Sequence, residues 1–234
     1  MSENSPNQPF AHLRLHTEFS INDGIVTIKP LIAKLRELSM PAVAITDLAN
    51  MFSLIKFYKA ALGAGIKPVC GCDVLVESDD RSKQTRLVLL VKNEAGYLSL
   101  TKLISELYTE NPNQSEPVVR KSQLQGRVDG LIALSGAQNS DIGMALLAEE
   151  ADLAFELLSE WKQLFPNSFY LELQRVGKAE EEDYIEAAIA LALKADCPVV
   201  ATNDVRFIDQ EDFDAHEVRV CINERRTLDD SRRP

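Results

Sequence analysis

Short apolar runs alternate along the chain with stretches whose apolar positions recur every three or four residues. The runs predict strands at 10–15, 42–46, 67–76, 87–91, 130–134, 169–173 and 198–201. The helical spacing predicts helices near 28–39, 51–63, 94–108, 140–164 and 180–195, and a last one beginning near Glu211. Ala148 to Asp152 is a candidate break that would split 140–164 in two. Pro41 disfavours helix at Met40 and marks entry to the second strand. Gly63 and Gly65 interrupt the second helix, and Pro68 and Pro198 suit strand starts. Asn111 to Pro117 is polar with two prolines and predicts an exposed loop.

Repeated strand–helix pairs with one composition regime predict a single α/β domain. About seven strands suit a distorted seven-stranded (β/α) barrel, with an open doubly wound sheet as the alternative. The expected layout is a flexible tail over 1–9, the barrel over 10–225, and over 226–234 the start of a connection to further domains, so that the natural chain would run on past Pro234.

The 234 residues carry a formal charge of -11 and are 45% hydrophobic, as expected of a soluble globular domain. That charge argues against direct DNA binding by this chain, because phosphate contacts need clustered Lys and Arg. No apolar run approaches a membrane span, and the polar start lacks a signal sequence, so a cytoplasmic location is expected. Cys70, Cys72, Cys197 and Cys221 show no zinc spacing and read as small buried thiols.

Charged residues cluster at strand ends. Asp47 follows AVAIT, Asp73 follows PVCGC and Asp204 follows VVATN. The carboxyl ends of barrel strands form the face where sites gather, and a lone buried carboxylate is costly. Taken singly, each Asp also reads as a helix cap. His12, Arg14 and His16 alternate and can share one side of the first strand. Asp23 in INDG reads either as a turn former or as a partner of His16. KAEEED (Lys178 to Asp183) reads as a solvated first helical turn, and Glu172 in YLELQ has no assigned side.

HLRLHTEFSINDG, AITDLANMFSLIKFYKAALGAGIKPVCGCDV, RLVLLVKNEAGYLSLTKLIS, GLIALSGA and VVATNDVRFIDQEDFDAHEVRVCI together resemble the PHP (polymerase and histidinol phosphatase) domain family. The likeness is to the form that opens the alpha subunit of bacterial replicative DNA polymerases. It implies a distorted seven-stranded β/α barrel and, in members with an intact site, a cluster of two or three metals that hydrolyses phosphoesters. Carried over position by position, the implied site departs from the pattern. Arg14 stands for a ligand beside His16, and Asp23 is kept. Leu48 follows Asp47 where a histidine is implied, Asp73 replaces a Glu, Arg86 a His and Ala137 a Cys. Asp204 is kept, with Arg206 for a His.

His16, Asp23, Asp73 and Asp204 are the residual candidate ligands, too few for a two-metal centre. The expectation is a relic site without catalysis or cofactor in this chain, its carboxylates balanced by Arg14, Arg86 and Arg206. The parent would be a DNA-directed DNA polymerase using Mg²⁺. Its implied partners are the remaining polymerase domains, the proofreading exonuclease subunit and the replicase holoenzyme. The alternatives are a surviving phosphoesterase acting on pyrophosphate or a DNA 3′ end, and a free-standing phosphatase of the histidinol phosphate type.

Overall fold

The computed structural model describes residues 10–77, 84–110 and 117–229. The expected tail, most of the 111–117 loop and the end of the 226–234 connection lie outside these residues.

Among the described residues, seven strands form one curled sheet: β1 (Ala42–Ile45), β2 (Lys67–Glu77), β3 (Gln84–Val91), β4 (Val118–Val119), β5 (Leu131–Leu134), β6 (Phe169–Gln174) and β7 (Val199–Thr202). Their order is β1-β2-β3-β5-β6-β7, with β4 added to β2. β1 and β2 pair in parallel, as do β5 with β6 and β6 with β7. β3 runs antiparallel to both β2 and β5. Each parallel step needs a crossover, and helices supply it. They are α2 (Leu54–Gly63) between β1 and β2, α5 (Asp141–Leu147) with α6 (Ala151–Leu164) before β6, and α7 (Glu181–Ala195) before β7. α1 (Ile28–Glu37), α3 (Glu94–Glu110), the single turn α4 (Lys121–Leu124) and α8 (Phe213–Glu224) complete the chain.

The strand expected at 10–15 is not a regular one. A bend at Leu13 breaks it into isolated bridges, His12 to Val43 and Leu15 to Val205. It nevertheless fills the gap between β1 and the segment after β7: Ala44 N–H donates to the His12 carbonyl at 2.7 Å, and His16 N–H to the Val205 carbonyl at 2.9 Å. That segment closes the barrel, and the open-sheet alternative falls. The short β4 was not expected; two valines after a polar, proline-containing stretch carry too little pattern. The break within 140–164 is real, with Glu149 at φ 60° between α5 and α6.

Two cores sandwich the sheet against its helices. Leu87, Leu89, Leu100, Leu103, Trp161 and Phe169 form one, with the Trp161 and Phe169 rings stacked at 6.1 Å. Leu15, Leu31, Leu35, Val43, Phe57 and Ala61 form the other. A third cluster lies inside the barrel, with Leu13, Ala44, Val69, Val88, Leu134, Tyr170 and Val200 drawn from the closing segment and from six strands. Strand alternation stacks the next layer directly above it. Two residues beyond Tyr170 is Glu172, and two before Val88 is Arg86. Val200 leads to Thr202 and Asp204, and Val69 to Gly71 and Asp73. The barrel is therefore apolar in its lower layer and charged in its upper one.

Candidate functional site

Arg14 sits at the centre of the charged layer with 1% of its surface exposed. Its Nη2 donates to Asp73 Oδ2 at 2.7 Å and its Nη1 to Glu172 Oε2 at 3.1 Å, and Nε lies 3.6 Å from Asp204 Oδ1. Burial alone would lower the Arg14 pKa, but these three carboxylates outweigh it and raise it. A guanidinium with three anionic neighbours replaces water by fixed charge in the barrel mouth.

Asp73 is fully buried and collects donors on one oxygen. Besides Arg14, Oδ2 faces His16 Nε2 at 3.1 Å and accepts from Arg86 Nη1 at 3.3 Å. Burial would raise this carboxyl, and Arg14, Arg86 and His16 overcome that and hold it well below the usual range. Asp73 lies within β2 and not at its end, because β2 runs past the end of β1: a bridge from Leu48 to Asp73 sets the two level.

On the far side, Arg206 bonds Asp23 and the Nδ1 of His16, and its Nη2 meets Asp204 Oδ1 at 2.7 Å. Asp204 also accepts from Lys178 Nζ at 3.0 Å. The desolvation of Asp204 is outweighed by Arg206, Arg14, Lys178 and His16, and that of Asp23 by His16, Arg206 and Ser20, so both stay well below ordinary carboxylate values. His16 Nδ1 lies 2.9 Å from Asp23 Oδ1, so Asp23 does reach back to His16 as well as ending its turn.

Residues 12–176 match the PHP domain family. The chain belongs to that family. The PHP chain is 52% identical over 226 residues to the DNA polymerase III subunit alpha of Pseudomonas aeruginosa, and 45% identical over 226 residues to that of Escherichia coli K12. Either match covers 96% of this PHP chain but only 19–20% of the relative, so the chain spans about a fifth of the length of the curated relatives it matches. Among solved structures, a protein described as a metal-dependent phosphoesterase from Bifidobacterium adolescentis superposes with TM-score 0.52 at 13% identity, over 92% of this chain and 97% of its own. An amidohydrolase from Chromobacterium violaceum, solved with sulfate and no metal, gives TM-score 0.60 at 13% identity, over 89% and 96%. At that identity the two structures show the fold alone.

The charged layer of the PHP barrel brings together Arg14, His16, Asp23, Asp73, Arg86, Asp204 and Arg206. It does not bring in the other sequence candidates. Asp47 is buried beside the layer, where it accepts from Thr17 N–H at 2.6 Å and Ser53 Oγ at 2.6 Å, and it caps no helix. Leu48 lines an apolar groove with Ile21, Phe52 and Tyr108. Ala137 packs against Tyr184 and Ala188. His12 turns away to meet the Phe10 ring edge-on at 5.1 Å. KAEEED is not a solvated turn throughout. Glu181 is buried and accepts from the Val176 and Gly177 N–H groups at 2.8 and 2.9 Å, and Lys178 joins the site.

Glu172 is the residue that sequence reasoning named but could not place. It is fully buried, and its Oε2 also accepts from Gly136 N–H at 3.1 Å, while Oε1 takes Gln174 Nε2 at 3.2 Å and Thr202 Oγ1 at 2.5 Å. A glutamate inside the apolar strand FYLELQ was itself the signal, since burial of an unpaired carboxylate is so costly. Gly136 holds φ 95°, and a Cβ there would fall 2.3 Å from the Arg86 carbonyl oxygen. Gly136→Ala is expected to cost on the order of 2–3 kcal/mol, from left-handed strain and a lost bond to Glu172. Urea unfolding of the variant measures it, and a loss below 0.5 kcal/mol, roughly the effect of an ordinary surface change, would contradict the geometry.

Proposed function

We propose that this chain is the supporting, non-catalytic PHP domain of a DNA polymerase III alpha subunit. The rest of that subunit would extend DNA with carboxylate-held Mg²⁺ in the cytoplasm. This domain would steady the polymerase domains and help hold the proofreading exonuclease subunit within the replicase. The likeness of 96% of the chain to alpha subunits supports the parentage. The observation that carries the absence of catalysis is Arg14, a permanent cation at 1% exposure in the middle of the carboxylates.

Divalent-metal chemistry fits this residue set poorly. A metal needs lone pairs converging on one point, and Asp73 Oδ2, Asp204 Oδ1 and Asp23 Oδ2 are each already engaged by arginine. Among the described residues no three His, Cys, Asp or Glu side chains converge in a metal-binding arrangement. In this reading Arg14, Arg86 and Arg206 took over the charge balance of a former metal site, with Leu48 and Ala137 marking two further ligands lost.

One observation favours the phosphoesterase alternative: Asp73 Oδ1 is buried without a hydrogen-bond partner. Metal analysis after dialysis against Zn²⁺, Mn²⁺ and Mg²⁺ decides between the readings, together with turnover of pyrophosphate, an aryl phosphate and a DNA 3′ end. The expected result is less than one metal per ten chains and no turnover above buffer. Stoichiometric metal with turnover would establish the enzyme reading instead. Capture of the proofreading exonuclease subunit by the alpha subunit is expected to fall when this domain is deleted, and undiminished capture would remove that role.

A further inference from the structure

The outer face of α2 carries an apolar stripe that nothing among the described residues covers. Ile55, Tyr58 and Leu62 stand at i, i+3 and i+7 and are 62%, 45% and 54% exposed, and Phe52 extends the row at 64%. The opposite face, Leu54, Phe57 and Ala61, is buried against the barrel, so the helix already has its core contact and the second stripe needs another explanation. Scattered exposed apolar residues are ordinary, whereas three along one helix, continued by Phe52 in the turn before it, mark a docking face.

The charge of this face is the reverse of the chain's. Against a formal charge of -11, no Asp or Glu occurs from Leu48 to Cys72, while Lys56, Lys59 and Lys67 do. By helical spacing Lys56 and Lys59 run along one edge of the stripe. Lys56 has Glu18 at 3.6 Å, and Lys59 makes no ion pair among the described residues.

We infer that α2 docks an amphipathic helix from another polypeptide segment, one that is apolar on its inner face and lined with Asp and Glu where it meets Lys56 and Lys59. The inference rests on the supporting role proposed above and names the surface that performs it. Charge complementarity selects this occupant. A second copy in two-fold pairing would set Lys56 and Lys59 of one chain against the same lysines of the other. Nucleic acid needs a cluster of cations, and four apolar side chains beside two lysines do not make one. The relatives are about five times as long as this chain, which covers 19–20% of them, so they contain ample further segments.

Carbodiimide coupling joins a lysine amine to a carboxylate in contact with it, and so reads this chemistry directly. It is applied to the intact assembly purified through a tag on this chain, followed by mass spectrometry. The expected product links Lys59 or Lys56 to an Asp or Glu in a segment with helical apolar spacing. In the variant Ile55→Ser with Leu62→Ser both lysines remain, and the conjugate is expected to fall at least tenfold while conjugates at Lys121 persist. The unfolding midpoint of the isolated variant should match the parent's, because both residues are exposed. Conjugates to a second copy alone, conjugates lost on nuclease treatment, conjugates to another segment undiminished in the variant, or none at Lys56 and Lys59 beyond the intrachain Lys56–Glu18 link while other lysines react would each overturn the proposal. If the chain still purifies within a larger assembly, such a result removes only the α2 surface. If it purifies with nothing larger and turns over phosphoesters, the supporting role falls as well.

Discussion

Arg14→Ala is expected to destabilise the fold by about 3–5 kcal/mol, because it strands Asp73, Glu172 and Asp204 in the barrel without their shared cation. Two effects add. The guanidinium is among the largest fully buried side chains, so truncation leaves a cavity, and the carboxylates around it lose their main source of charge balance. Arg14→Met separates the two, since it keeps much of the volume and none of the charge. If packing dominated, Arg14→Met would recover most of the lost stability in urea unfolding. If charge dominates, as the three carboxylates indicate, it recovers little. Pairing Arg14→Met with Glu172→Gln in a double-mutant cycle should then show a favourable coupling, because the second change removes one of the anions that the first had exposed. A loss below about 1 kcal/mol for Arg14→Ala would mean that the carboxylates find other partners or water, and would end the account of the centre.

Acidification is the second large effect. Asp23, Asp73 and Asp204 all have folded pKa values held well below their unfolded values. A group of that kind binds a proton more readily in the unfolded chain, so its contribution is fully present above the unfolded value. It is lost as pH falls through the range beneath, from about 4 downward. Three coupled groups in one layer make the loss steep. The urea midpoint is expected to change little between pH 7 and 5 on their account, and then to drop sharply below about pH 4. Arg14→Ala should flatten that drop, since removing the cation raises the folded pKa values of Asp73 and Asp204. A parent chain whose stability falls no faster than the variant's between pH 4 and 2.5 would contradict the assignment.

Much of this site was legible in the sequence because the barrel fixes where strand ends go. Arg14, His16, Asp73 and Asp204 could be brought together from alternation and strand position, and the family resemblance added Arg86 and Arg206 and with them the expectation of a charge network. Glu172 was not legible, although it anchors that network from below. β6 is buried on both faces, so alternation alone does not say which side of FYLELQ looks into the barrel. The answer lay in the parity shared with Tyr170, which only the closed barrel reveals. Asp47 misled for the opposite reason. Its position at a strand end is right, but Thr17 and Ser53 satisfy its oxygens before any arginine can reach them. The closing segment was read as a strand because its residues alternate, and the bend at Leu13 that lets the neighbours Leu13 and Arg14 both face into the barrel leaves no mark in that pattern.

Barrel closure also sets a timetable for the nascent chain. Arg206 meets His16 across 190 residues of sequence, and Arg14 meets Glu172 across 158. A ribosome adding about 5–20 residues per second takes roughly 10–40 s to pass from one of the first pair to the other. For most of that interval Arg14 lacks Glu172 and Asp204, and His16 lacks Arg206. Contacts of such sequence separation also slow folding itself. The charged layer thus cannot be completed before Arg206 has been made, and the core around β1 must pack without it until then.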